Sequence, residues 1–259
     1  MVLGEEGFQS GEGRSRTELG LPGLQQELLE EVYKVNKNIV LVLMNGRPLN
    51  LTWADENIPA ILETWHLGTQ SGNAIAEVLY GNYNPSGKLT MSFPRNVGQV
   101  PLYYNYKKTG RPGASSAEVT KSTYADVENS PLYPFGYGLS YTSFSYSDFS
   151  LSSKEITRDD TIIASVKITN TGKVKGKEVV QMYIRDHYGS LARPVKELKG
   201  FELLELNPGE TKEVSFEIDN SKLIYYTAND RWESENGKFS VFIGGDSDVK
   251  ENKSFDLIN

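Results

Sequence analysis

The sequence predicts a partial α/β unit followed by a β-sandwich, and three observations carry that reading. The first hundred residues alternate helical apolar spacing with short continuous apolar runs. From about residue 144 the apolar residues instead recur at every second position. Between the two, residues 103–131 are rich in Gly, Pro and Ser and follow neither period, which reads as a long connecting loop.

Met1-Val2-Leu3 reads as the end of a strand, and a Gly/Ser/Glu/Arg-rich loop runs from Gly4 to Arg16. Pro22 suits the first turn of a helix whose inward residues are Leu24, Leu28, Val32 and Val35. Ile39–Met44 is a continuous apolar run of strand length, as in a parallel sheet covered on both faces. Trp53–Asn57 predicts a short turn or helix, and Ile58–Trp65 a second buried strand that leaves through His66-Leu67-Gly68. A helix over 69–80 carries Ala74, Ile75, Val78 and Leu79 inward and stops at Gly81. Leu89, Met91 and Phe93 alternate as a last strand before Pro94. Three or four strands are few for such a sheet, so further strands are expected to precede Met1.

In the second half, Phe144 and Tyr146 alternate, as do Ile162, Ala164, Val166 and Ile168, and then Val180, Met182 and Ile184. The same holds for Val214, Phe216 and Ile218 and for Phe239, Val241 and Ile243. Asn170-Thr171-Gly172, Asn207-Pro208-Gly209 and Glu235-Asn236-Gly237 supply turns between them. The pattern predicts a sandwich of about seven strands.

Composition narrows the function. A net charge of −7 without a basic run disfavours nucleic acid and anionic membrane surfaces as partners. No apolar run reaches the ~18 residues of a membrane helix. The absence of cysteine removes disulfides, thiolate metal sites and a cysteine nucleophile together. His66 and His187 lie far apart in sequence without metal-ligand spacing, so no metal or cofactor is expected. The amino terminus lacks the basic start and apolar centre of a signal peptide.

Four stretches then carry a resemblance. They are Ser10-Gly11-Glu12-Gly13-Arg14-Ser15-Arg16, Val42-Leu43-Met44-Asn45-Gly46-Arg47-Pro48-Leu49, Gly81-Asn82-Tyr83-Asn84-Pro85-Ser86-Gly87-Lys88-Leu89 and Tyr133-Pro134-Phe135-Gly136-Tyr137-Gly138-Leu139-Ser140-Tyr141. Residues 193–201 and 207–211 extend the match into the sandwich. In this order they resemble the carboxy-terminal part of family 3 glycoside hydrolases of the bacterial periplasmic β-glucosidase type.

The resemblance implies a TIM-type barrel, an α/β sandwich domain and a fibronectin type III-like domain in succession. This chain would hold the last part of the second (1–102), a connecting loop (103–140) and all of the third (141–259). It implies retaining hydrolysis of terminal β-D-glucosides by a periplasmic or secreted parent. The substrate, a β-glucoside or oligosaccharide, would be bound together with the barrel. The barrel supplies the nucleophilic aspartate, whose motif no residue here matches, so this chain alone is expected to be inactive. A non-catalytic module binding carbohydrate or protein is the alternative. A remnant that self-associates through its barrel-facing surface is a third reading.

Retaining hydrolysis needs two carboxylates about 5–5.5 Å apart. The resemblance makes Glu12, between Gly11 and Gly13, the general acid/base, with Glu5 and Glu6 as the neighbouring competitors. Arg14 and Arg16 are close in sequence and would favour its ionised form. Trp65 and His66 leave the end of a strand, where open α/β sheets place ligand contacts. They are candidates for the leaving-group subsite, with packing as the competing reading. Asn45-Gly46-Arg47-Pro48 reads as a turn with a structural arginine, against a sugar clamp, and Tyr103–Tyr106 as surface packing, with stacking on sugar as the alternative; Tyr133–Tyr141 reads as a stiff lead-in to the sandwich and Trp232 as core or loop packing.

Overall fold

The computed structural model describes residues 1–108, 110–113 and 120–259; Thr109 and residues 114–119 of the predicted connecting loop lie outside them. The first unit runs β1 (Val2–Gly4), α1 (Gln25–Val35), β2 (Val40–Met44), α2 (Thr52–Asn57), β3 (Ala60–Glu63) and α3 (Ser71–Leu79). The three strands form a parallel sheet in the order β1-β2-β3. Leu41 and Leu43 of β2 pack in one cluster with Leu29 of α1, Ala54 of α2, Leu49 and Phe93. The outer edge of β1 is blunted by a side chain. The Gln25 amide accepts the Gly4 N–H at 2.7 Å and donates to the Gly4 carbonyl at 2.9 Å.

Several sequence expectations change here. α1 starts at Gln25 rather than at Pro22, because Gly23 takes a left-handed φ of 58° before it. Leu29 is the residue of α1 that is fully buried, while Leu24, Leu28 and Val35 are 72%, 51% and 87% exposed. Those three form a second apolar stripe about 120° around the helix from Leu29, and a three-stranded sheet covers one face only. α3 likewise has no buried residue: Ala74 and Leu79 are exposed and Ile75 and Val78 half-buried. β3 is four residues long and partly exposed instead of a buried strand over 58–65. It is cut short after Glu63, where Trp65 turns left-handed at φ 51°. No strand forms over 89–93. Leu89 and Phe93 pair instead with the segment 132–137, through Phe93 N–H to the Tyr133 carbonyl (2.8 Å), Leu132 N–H to Phe93 (2.8 Å), Leu89 N–H to Tyr137 (2.8 Å) and Gly136 N–H to Leu89 (2.7 Å).

The second unit contains β4 (Phe144–Leu151), β5 (Glu155–Ile156), β6 (Ile162–Asn170), β7 (Gly176–Asp186), β8 (Glu197–Leu206), β9 (Thr211–Ile218), β10 (Tyr225–Tyr226), β11 (Trp232–Glu233), β12 (Gly237–Gly244) and β13 (Lys253–Leu257). A five-stranded sheet, β5-β13-β12-β7-β8, faces a three-stranded sheet, β4-β6-β9, and β10 and β11 form a separate ribbon. The alternating residues from Ile162 to Ile243 are buried there, while Phe144 and Tyr146 are half-buried against the same core. Trp232 is the exception to its reading. It lies 68% exposed on the ribbon, edge-on to Tyr226.

The two units are joined through the second face of β7. Tyr183 and Gln181 point away from the sandwich core yet are buried. Tyr104 stacks on Phe135 at 4.3 Å and meets Tyr183 edge-on. Gln181 donates to the Gly136 carbonyl at 3.1 Å. Gly136 holds φ 83°, and a Cβ there would stand 2.1 Å from the Gln181 amide oxygen, so only glycine fits. Lys88, from the first unit, pairs with buried Glu178 of β7 at 3.2 Å, and Tyr146 donates to the same carboxylate at 2.8 Å.

Candidate active site

In a parallel sheet the loops leaving the carboxyl ends of the strands converge on one edge, the place where such sheets bind ligands. Three segments meet there. Glu5 follows β1, the Asn45-Gly46-Arg47 turn follows β2, and Glu63 ends β3 ahead of Trp65 and His66. The loop after Glu5 carries Glu12.

Glu5 is 5% exposed and anchors this edge. One of its oxygens pairs with Arg16 at 2.7 Å and with Arg47 at 2.9 Å; the other accepts the Gly46 N–H at 3.2 Å. Burial by itself would raise this carboxyl, but the Arg16 and Gly46 hydrogen bonds and the Arg47 charge outweigh it and hold it below the ordinary glutamate value. Glu5 is therefore held as a carboxylate that ties the Arg16 and Arg47 segments to this edge. Arg47 then reaches further. Its guanidinium donates to the backbone carbonyls of Gln9 and, at 2.8 Å, Arg14, so both ends of the segment around Glu12 are tied to the turn after β2. Ser10 presses on Gly46 so closely that a Cβ there would stand 1.8 Å from its hydroxyl oxygen.

Within that clamp Glu12 sits on a turn closed by Arg14 N–H to the Gly11 carbonyl at 3.1 Å. Gly11 and Gly13 on either side both hold positive φ, 117° and 69°, which a side chain would oppose. Glu12 itself is exposed. The two arginines near it in sequence are engaged elsewhere: Arg16 on Glu5, and Arg14 over the Phe8 ring at 5.8 Å. The arrangement presents a carboxylate, on a loop with a fixed base, to whatever surface adjoins this edge.

Trp65 and His66 come to the same edge. The Trp65 ring is half-buried and tilted against Phe93 at 5.9 Å, which is packing, while His66 is exposed and its ring borders Gly46. One residue at this edge belongs to none of the recognisable motifs. Glu63 accepts the Trp65 N–H at 2.9 Å and the Asn45 amide at 3.2 Å. Burial pushes its carboxyl up to about 7, against the opposing pull of those two hydrogen bonds. Its sole signal in the sequence is a lone carboxylate within the apolar run 58–65.

The Glycosyl hydrolase family 3 C-terminal domain matches residues 1–141, and the Fibronectin type III-like domain matches residues 178–247. A periplasmic beta-glucosidase of Salmonella typhimurium is 51% identical over 99% of this chain, which covers 34% of that protein. A beta-xylosidase of Formosa agariphila is 45% identical over 99% of this chain and 35% of its own length. Among solved structures, a beta-glucosidase from Listeria innocua in complex with glucose superposes with a TM-score of 0.95 at 39% identity, over 100% of this chain and 36% of that one. The chain thus spans about a third of the relatives it matches. The match of the family 3 C-terminal domain to more than half of the chain, followed by a fibronectin type III-like domain, makes the chain a member of glycosyl hydrolase family 3.

Proposed function

We propose that this chain is the acid/base-bearing part of a retaining β-glucosidase, with Glu12 as the general acid and base. The observation that carries the reading is the Gly11-Glu12-Gly13 turn, fastened by Arg47 to the carboxyl edge of the parallel sheet while its carboxylate stays exposed. In the first step Glu12 gives its proton to the glycosidic oxygen as that bond breaks, and a carboxylate outside this chain bonds to the anomeric carbon. In the second Glu12 takes a proton from water, whose oxygen displaces that carboxylate and leaves the anomeric configuration retained. Trp65 and His66 adjoin the same edge and are proposed to border the leaving-group side.

The β-glucoside assignment is supported by the Salmonella relative, a beta-glucosidase, and by the Listeria beta-glucosidase structures, which hold glucose and laminaribiose. The similar identity to a beta-xylosidase supports a choice of sugar made outside this segment. The Salmonella relative's name also supports a periplasmic or secreted parent. The test is an aryl β-glucoside assay on the purified 259-residue chain. Turnover is expected to be indistinguishable from buffer. Robust turnover that Glu12→Gln abolishes would overturn the division of the site between this chain and another domain.

The exposed stripe Leu24, Leu28 and Val35 favours a second reading for the isolated chain, self-association through this face. Light scattering should find a mass that rises with concentration; a constant monomer mass at high concentration would refute it.

A further inference from the structure

We infer that Glu63 is a positioning residue which locks the Trp65–His66 turn to the Asn45–Arg47 turn and, through Arg47, steadies the loop that carries Glu12. This rests on the reading of Glu12 given above for its importance, but on geometry for its content. Glu63 spends one oxygen on the Trp65 N–H and the other on the Asn45 amide. The first contact holds a tryptophan at φ 51°, a left-handed conformation costly for a bulky residue and kept only where neighbours enforce it. The second holds Asn45, a fully buried side chain whose amide nitrogen also donates to the Arg47 carbonyl at 2.8 Å. The Asn45 amide oxygen is buried without a partner among the described residues, so its nitrogen is the group that fixes its position. From Arg47 the chain of contacts continues to the carbonyls of Gln9 and Arg14 on either side of Glu12.

Glu5 and Glu63 thus flank one turn in opposite electrostatic states. Glu5 meets two guanidinium groups and is fixed as a carboxylate. Glu63 meets only neutral donors, the Trp65 N–H and the Asn45 amide, and its burial makes it titrate near neutrality. The charged and titratable groups on the adjoining turns are Arg47 and Glu5, which are paired with each other, and the exposed His66. Its buried charge is met by neutral donors alone, so the closed site favours the protonated form and the two turns should loosen together as pH rises through about 7.

The experiment is an amide NMR titration of the intact 259-residue chain from pH 5.5 to 8.5, with hydrogen exchange at each end. The expected result is one shared midpoint near 7 at the amides of Trp65, Gly46 and Gly13, with the protection factor of Trp65 about tenfold lower at the alkaline end. Glu63→Gln offers one acceptor and one donor, cannot satisfy both partners, and should abolish the titration while leaving sandwich resonances unmoved. His66→Gln should keep the titration, which separates Glu63 from the neighbouring imidazole. A titration confined to Trp65 and absent at Gly13 would overturn the link to the Glu12 loop. A titration that survives Glu63→Gln would overturn the role of Glu63. Neither outcome touches the acid/base role of Glu12, which activity alone decides.

Discussion

The sandwich closes a core from its own two sheets, with Ile162, Ile168, Val180, Met182, Val241 and Phe239 at 0–1% exposure. The α/β unit closes one side of a three-stranded sheet and leaves apolar residues of α1 and α3 in solvent. The sandwich keeps its buried charges outside that core, in the Lys88–Glu178 and Arg193–Asp186 pairs, whereas the α/β unit gathers Glu5, Arg16, Arg47 and Glu63 at the carboxyl edge of its sheet. Stability and chemistry are therefore housed separately. One unit is a scaffold; the other is a site that tolerates charge, a left-handed tryptophan and an open apolar face.

The sharpest way to break this contrast is to attack the scaffold. Phe239 is buried and stacked on Phe255 at 5.4 Å. Phe239→Ala should cost about 3–5 kcal/mol in denaturant unfolding of the sandwich. A loss below about 1 kcal/mol would mean that the core is not the closed unit described. Next in size is the clamp. Arg47→Met leaves Glu5 with one cation and frees the Gln9 and Arg14 carbonyls, at a cost of about 2–3 kcal/mol confined to the α/β unit. The same variant should be cut faster by trypsin after Arg14. Unchanged cleavage would show that Arg47 does not hold the Glu12 loop.

The pH dependence of the two units should have opposite slopes. Glu63 is raised to about 7, so the folded α/β unit binds more protons than the unfolded chain between about pH 4.5 and 7. Its contribution is most favourable below 4.5, and stability is lost as pH rises to 7, by up to about 3 kcal/mol. Glu5 is depressed, so its stabilisation is present at neutral pH and disappears as acid protonates it. Lys196 in the sandwich is lowered to about 8 by burial and by Lys250, although Asp248 and Asp246 pull the other way. There the unfolded chain binds more protons, so the sandwich gains stability between about pH 8 and 10. Hydrogen exchange resolved by unit checks both slopes. The smallest effect belongs to the open face: Leu28→Ser should change stability by less than about 0.5 kcal/mol while reducing self-association.

The same contrast explains how far the sequence could be read. In the sandwich a period of two has a single consequence, because one face of each strand meets the opposite sheet; the runs from Ile162 to Ile243 therefore name buried residues, while Phe144 and Tyr146 on the edge strand β4 end half-buried. In α1 two apolar stripes compete, and nothing local says that Leu29 and not Leu24 or Leu28 faces the sheet. Leu89 to Phe93 alternates like a strand, but its partner is the irregular segment 132–137, which has no strand period. At the site, Glu12 stands out through its flanking glycines and its motif. Arg47 was legible as a structural arginine, though not the carbonyls it binds more than thirty residues away. Glu63 showed in the sequence only as a lone carboxylate in an apolar run, because its environment is made by Asn45 and the Trp65 turn, which only folding brings together.

The central claim is that Glu12 transfers the proton, and a leaving-group series in the whole protein tests it most directly. Wild type and Glu12→Gln are compared on laminaribiose, whose leaving oxygen needs a proton, and on 2,4-dinitrophenyl β-glucoside, whose leaving group does not. The account predicts a loss of about 10²–10⁴-fold in kcat/KM on the disaccharide, a far smaller loss on the aryl glucoside, and renewed turnover with azide that yields β-glucosyl azide. An equal loss on both substrates without azide rescue would contradict it.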